Sequence, residues 1–183
     1  MIPIKGVDTA GDSYLEMDFY VILHYVLKHT HRGDRIVGYL GDHRRNSAEI
    51  KIDRLSGEIY SFVVLGTDQE ITCRADDPFA LLPARQGIPV VDVSSFAFQE
   101  PREFGHPAHF DNLAKIHCTI VAEQSISVIL DTTKEPTNLI DAGSVKFLLS
   151  DRMLVGLLTR PLSASELDLF DEWAERMQKP RNG

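Results

Sequence analysis

The stretch SVKFLLSDRMLVGLLTRPLSASELDLFDEWAERM, Ser144 to Met177, decides the fold class, because it reads as a β-hairpin feeding a capped amphipathic helix. Val145, Phe147 and Leu149 alternate with Lys146 and Leu148, and Leu154 to Thr159 supplies a second apolar run. Between them Ser150-Asp151-Arg152 is short and polar, as a hairpin connection requires. Ser163-Ala164-Ser165-Glu166 is an S-x-x-E capping box, in which the serine and the glutamate each satisfy a backbone donor of the first turn. Leu162 and Leu167 flank it at the spacing of a hydrophobic staple. Leu167, Phe170, Trp173 or Ala174, and Met177 recur at helical spacing, with Asp168, Asp171, Glu172 and Glu175 opposite. Early acids, and Arg176 and Lys179 late, suit the helix dipole.

Working outward, the same strand signal appears through most of the chain. Ile116 to Ala122, Ile126 to Leu130 and Asn138 to Ile140 precede the hairpin. Ala48 to Asp53 and Glu58 to Leu65 form an earlier hairpin through Arg54-Leu55-Ser56-Gly57, and Arg35 to Leu40 is a short strand before it. Alternation from Tyr14 to Leu23 predicts one long strand, with a helix from Asp18 to Lys28 as the alternative. Met1 to Asp12 reads as a terminal arm. Ile50-Lys51-Ile52, turn, Ile59 to Leu65 resembles Val145-Lys146-Phe147, turn, Leu154 to Thr159, which raises two copies of a β-meander as one reading of the fold. The expectation is a single α+β domain over residues 1–183, mostly antiparallel sheet with a carboxyl-terminal amphipathic helix.

The middle differs in character. From about residue 66 to 113 the chain carries Pro78, Pro83, Pro89, Pro101 and Pro107, and only Ile71 to Arg74 and Ile88 to Val93 resemble strands. Proline removes donors and fixes φ, so this region should be largely irregular. It also holds the charge. Between Ser61 and Leu113 stand Asp68, Glu70, Asp76, Asp77, Asp92, Glu100, Glu103 and Asp111 against Arg74, Arg85 and Arg102, in a chain of net charge −8. That balance disfavours direct nucleic-acid binding, which needs Lys and Arg to neutralise phosphates, and equally an anionic membrane surface. It leaves two readings, a solvated acidic surface that serves solubility alone and a face that meets a cationic protein partner. Asp68, Glu70, Asp76, Asp77, Glu100, Glu103 and Phe104 are the candidate partner-binding residues, since carboxylates steer encounter and an aromatic anchors it.

Other constellations are weaker. His106, His109 and Asp111, with His117 downstream, could hold zinc and serve a metal-dependent hydrolase, but Pro107 opposes the helix that would gather them. No metal and no cofactor is therefore expected. His29, His31 and His43 among Lys28, Arg32, Arg35, Arg44 and Arg45 read as solvated turns rather than a phosphate site. Gly11-Asp12-Ser13-Tyr14-Leu15 resembles the nucleophile block of a lipase-like hydrolase family, but no histidine follows His117 to serve as its base. Cys73 and Cys118 are too few for a disulfide framework and suit a reducing compartment. With no charged leader before an apolar run, and with Tyr20 to Leu27 too short to span a bilayer, a cytoplasmic protein is expected.

In size, charge and the style of segments such as Leu55-Ser56-Gly57-Glu58-Ile59 and Ser144 to Thr159, the chain resembles bacterial immunity proteins of contact-dependent or polymorphic toxin systems. That resemblance implies tight binding to one cognate toxin domain, a basic, nuclease-type one, and no enzymatic activity of its own. It assigns no role to any individual residue. A small regulatory or structural subunit is the further alternative.

Overall fold

The computed structural model describes residues 2–9, 11–18, 20–28, 34–42, 46–67, 71–96, 108–112, 116–122 and 124–178, with the side chains of 108–112, 177 and 178 outside the description. Two sheets carry the chain. The first contains β2 (Ser13–Glu16), β3 (Leu23–Leu27), β4 (Arg35–Gly41), β5 (Ser47–Asp53) and β6 (Ile59–Gly66), in the order β4-β5-β6-β3-β2, every pairing antiparallel. The second contains β11 (His117–Val121), β12 (Ser125–Ile129), β13 (Asn138–Asp141), β14 (Val145–Ser150) and β15 (Met153–Thr159), in the order β13-β14-β15-β12-β11, again all antiparallel. The two orders are the same topology, strand for strand. Each is a three-stranded meander whose last strand also pairs with a preceding hairpin, so the repeat visible in the sequence is real and longer than a meander. Each also carries a parallel strand on its third member: β10 (Ala108–Asn112) on β4, and β8 (Ala84–Gln86) on β13.

Burial explains why the sheets meet. Strand β6 is buried at Ile59, Tyr60, Ser61, Phe62, Val63 and Val64, and β15 from Leu154 to Thr159. Such strands cannot face water on their inner side. One continuous core therefore holds Tyr25, Ile50, Ile52 and Phe62 of the first sheet with Ile126, Val128, Phe147 and Leu157 of the second. Tyr25 and Phe147 meet edge to face across it, ring centroids 5.3 Å apart at 89°.

The terminal arm expected over residues 1–12 is instead strand β1 (Ile2–Asp8). Ile2 and Ile4 are buried in the common core, and the strand pairs first with β15 and then with β9 (Ile88–Val91). The long strand expected over 14–23 is two strands. The Asp18 carboxylate accepts from the Tyr20 and Val21 amides at 2.6 and 2.7 Å, which turns the chain between β2 and β3. In the middle segment the strand-like stretches Ile71 to Arg74 and Ile88 to Val93 contain β7 (Thr72–Arg74) and β9, and β8, a 3₁₀ turn (Val93–Ser95) and β10 form there as well.

Polar links seam the halves. Gly57, at the turn after β5, has φ +81 and accepts from the Val91 amide through its carbonyl at 2.8 Å, tying the first sheet to β9. At another corner the Asn46 side chain accepts from the Ile116 amide at 2.9 Å, and the Thr67 hydroxyl donates to the Ile116 carbonyl at 2.6 Å. The strands β8 and β9 are one run bent at Gly87. Through it a circuit closes from β13 to β14, β15, β1, β9 and back.

The helix α1 (Ala164–Gln178) follows its sequence signals. The Ser163 amide donates to Glu166 Oε2 at 2.8 Å, and the Glu166 amide donates to Ser163 Oγ at 3.4 Å. Phe170 and Trp173 are buried outright in the core, with Leu162 beside them and Leu167 and Ala174 packed at its margin. Arg160 grips the Glu166 carboxylate with both guanidinium nitrogens, at 2.7 and 3.1 Å, and holds its pKa down at about 2.

Two measurements follow from these contacts. At Gly87 (φ +139) a Cβ would lie 2.1 Å from the Asp8 carbonyl oxygen and 2.5 Å from Val7 Cγ1, whereas at Gly6 it would meet nothing within 4 Å. Gly87→Ala should therefore lose about 2–4 kcal/mol in urea denaturation, and Gly6→Ala stay within about 0.5 kcal/mol of wild type. Glu166→Gln keeps the cap but loses the charge. Because the folded pKa is depressed, the carboxylate stabilises the fold above its unfolded pKa and stops doing so as pH falls through the folded value. Arg160 is 40% exposed and screened, so the deficit of Glu166→Gln at pH 7 should be about 1 kcal/mol, shrinking between pH 4.5 and 2.

Candidate functional site

The nine residues joining β7 to β8, Ala75 to Pro83, build the most unusual surface among the described residues. Strands β7 and β8 lie at opposite ends of the second sheet's strand order, β7 parallel to β11 and β8 parallel to β13. The connection must therefore cross the sheet's outer face, and the burial pattern shows that it does. Leu139, Leu148, Val155, Leu158 and Val121 form an apolar cluster separate from the main core, and Phe79 and Leu82 of the connection pack onto it. Pro78 and Pro83 bracket these anchors. Asp77 accepts from the Phe79 amide through its side chain at 2.8 Å, and the Leu82 amide donates to the Phe79 carbonyl at 3.1 Å, so the strap is turned rather than slack.

With Phe79 and Leu82 turned inward, the crest between them is thrown outward. Leu81 is 98% exposed, the most exposed of the large apolar side chains described. Burying it would gain roughly 1.5–3 kcal/mol, a gain that the fold leaves unrealised on this ordered turn. Asp76 and Asp77 stand at the entrance to the same strap. Asp76 is fully exposed and pairs with Arg74 at 3.1 Å, and this hydrogen-bonded partner lowers its pKa from the usual carboxylate range.

Of the residues singled out from the sequence for partner binding, Asp76 and Asp77 are thus placed on one strap. Asp68, Glu70, Glu100, Glu103 and Phe104 lie outside the described residues. Asp92 caps the 3₁₀ turn through the Ser94 amide, and Phe96 packs against the main core. Sequence reasoning passed over Leu81. The available signal was the D-P-F-A-L-L-P pattern, in which two prolines frame three large apolar residues, too many for one face of a short strap to bury.

The histidine constellation is only partly visible. His106 lies outside the described residues; His109 and Asp111 fall on β10, whose side chains are not described. Among the described residues no three of His, Cys, Asp and Glu come together as a metal would need. His24 bonds Glu16 at 3.3 Å and Ser61 at 3.1 Å. Burial holds its pKa below the usual 6.5 despite Glu16, whose carboxylate is 56% exposed and screened. The basic, histidine-containing stretches 29–33 and 43–45 also fall outside the described residues.

Among the described residues Ser13 has no basic partner. Its hydroxyl donates to the Ala142 carbonyl, lies 2.9 Å from the Ser144 hydroxyl, and accepts from the Ser144 amide at 3.3 Å. It pegs β2 to the β13–β14 turn, a structural task.

No protein-family model and no curated protein matches the chain. Among the described residues no helix is long and apolar enough to cross a membrane.

The two thiols differ sharply. Cys73 is exposed on β7, while Cys118 is buried, and burial pushes its pKa up to about 12. Titration of the native protein with a disulfide reagent should register one fast thiol, the second appearing only on unfolding; the Cys73→Ser variant should show none until denatured.

Proposed function

We propose that this chain is a protein-binding module that docks a cationic partner through the strap over its second sheet, and that it acts as an immunity protein neutralising a basic, nuclease-type toxin domain in the cytoplasm. The observation that carries the reading is Leu81, held out in water on a braced turn beside Asp76 and Asp77. An apolar anchor beside carboxylates is what a cationic protein surface recognises: the charges speed encounter and the leucine slows departure. The net charge of −8 adds long-range attraction to such a partner. Asp68, Glu70, Glu100, Glu103 and Phe104 belong to the same proposal as partner-binding residues.

The test is coexpression with the toxin domain encoded beside its gene, followed by binding kinetics. A one-to-one complex should form, growth should be protected, and association should slow about tenfold between 50 and 500 mM salt. Leu81→Ala should cost about 1–2 kcal/mol, chiefly in dissociation, and Asp76→Lys should slow association, while Leu55→Ala at a remote turn changes neither. Salt-independent association, or an unaltered complex in Leu81→Ala and Asp76→Lys, would reject the strap as the docking surface. Stoichiometric zinc in the purified protein would point instead to the histidine segment.

A further inference from the structure

The geometry points to a second binding site: a cleft beside β1 that takes a small organic anion with an apolar body, an alkyl or aryl carboxylate. It lies where the closed circuit of strands opens, between β1, the start of β8, β13 and the β14–β15 turn. About 640 Å³ in volume, it falls within the range of small-molecule sites. Its floor is apolar. Ile4, Ile140 and Leu149 are buried beneath it and Val7 is half-buried at its side.

Its rim is cationic. Lys5, Arg85 and Arg152 line the opening against a single acid, Asp151. In a chain of net charge −8 this local excess of positive charge runs against the whole. Arg152 is fixed in place because it donates to the Ile4 carbonyl through Nε at 3.2 Å and to the Lys5 carbonyl through Nη2 at 2.6 Å. Among the described residues Lys5 and Arg85 make no ion pair or side-chain hydrogen bond, so their charges at the rim are uncommitted. A guanidinium fork and an ammonium beside an apolar floor match a carboxylate head carried on a hydrocarbon body. A highly hydrated polyanion would leave the floor unused, and a neutral apolar molecule would leave the rim unused. The three cations come from residues 5, 85 and 152, brought together by β1 pairing with β15 and β9 and by β8 pairing with β13.

Titration calorimetry of the full chain with octanoate tests this directly. The expected result is saturable one-to-one binding, at least tenfold weaker in the Lys5→Gln/Arg85→Gln double variant and at least tenfold weaker for octanol on wild type. Both substituted side chains are exposed and make no internal contact the fold needs, and Arg152 is left intact to keep β1 in place. An unchanged urea midpoint in the variant assigns any loss to the site. Absence of saturation at millimolar octanoate, equal affinity for octanol, or binding indifferent to the double substitution would each overturn the proposal. Because the cleft and the strap crest share no residue, Leu81→Ala should leave octanoate binding untouched whatever becomes of the docking surface.

Discussion

Everything in this molecule depends on two sheets of identical strand order having no way to exist apart. Each has a face of large apolar side chains that a single layer leaves in water, and among the described residues neither has a helix of its own that covers the whole face. The solution is mutual. Tyr25 and Phe147 meet edge to face at the centre, and the isoleucines of β5 share one core with Val128 of β12 and with Leu154 and Leu157 of β15. Helix α1 covers what remains with Phe170 and Trp173, and its Arg176 lies 5.8 Å over the Tyr20 ring, reaching the first sheet's β2–β3 turn.

Once the faces are matched, the polar seams fix how they sit. Asn46 and Thr67 satisfy the Ile116 backbone at one corner, Gly57 meets Val91 at another, and Ser13 bonds the Ala142–Ser144 turn at a third. These are buried or half-buried groups whose loss would strand a partner without a hydrogen bond, so they specify one arrangement as well as stabilise it. The serine that resembled a nucleophile in sequence is one of these pegs, which shows how little a short motif says before its neighbours are known.

Legibility in the sequence followed the locality of the cause. The β14–β15 hairpin, the β5–β6 hairpin and the capped helix are dictated by residues within a few positions of one another, and all three form where alternation and capping place them. The break at Asp18 was hidden because alternation continues by chance through a turn that a side-chain carboxylate makes. Strands β7 and β8 are three residues each, wholly exposed, and parallel to their partners. Only β7 falls in a stretch, Ile71 to Arg74, that reads as a strand; nothing in the composition of β8 calls for one, and the edge it joins does. The same holds for β1, where the burial of Ile2 and Ile4 depends on β15 and β9 arriving from distant parts of the chain. For the candidate sites, the acids of the strap were readable as composition, but the exposure of Leu81 follows from Phe79 and Leu82 being claimed by the sheet beneath.

The doubled topology also says where function should be sought. A repeated scaffold uses its equivalent positions for packing, and those positions are mostly core here. What distinguishes the two halves is what the connecting segment and β1 add. Strap, bent strand at Gly87 and cationic cleft all belong to the second sheet, and all are made by residues outside the repeated strands leaning on residues within them. The counterpart on the first sheet is the parallel strand β10 on β4. Binding surfaces that arise at such breaks of symmetry can change without disturbing the packed faces, because the strap contributes only Phe79 and Leu82 to a satellite cluster and nothing to the common core. A scaffold held by its two matched faces can thus vary the crest residue, the flanking charges or the cleft rim at little cost to its stability.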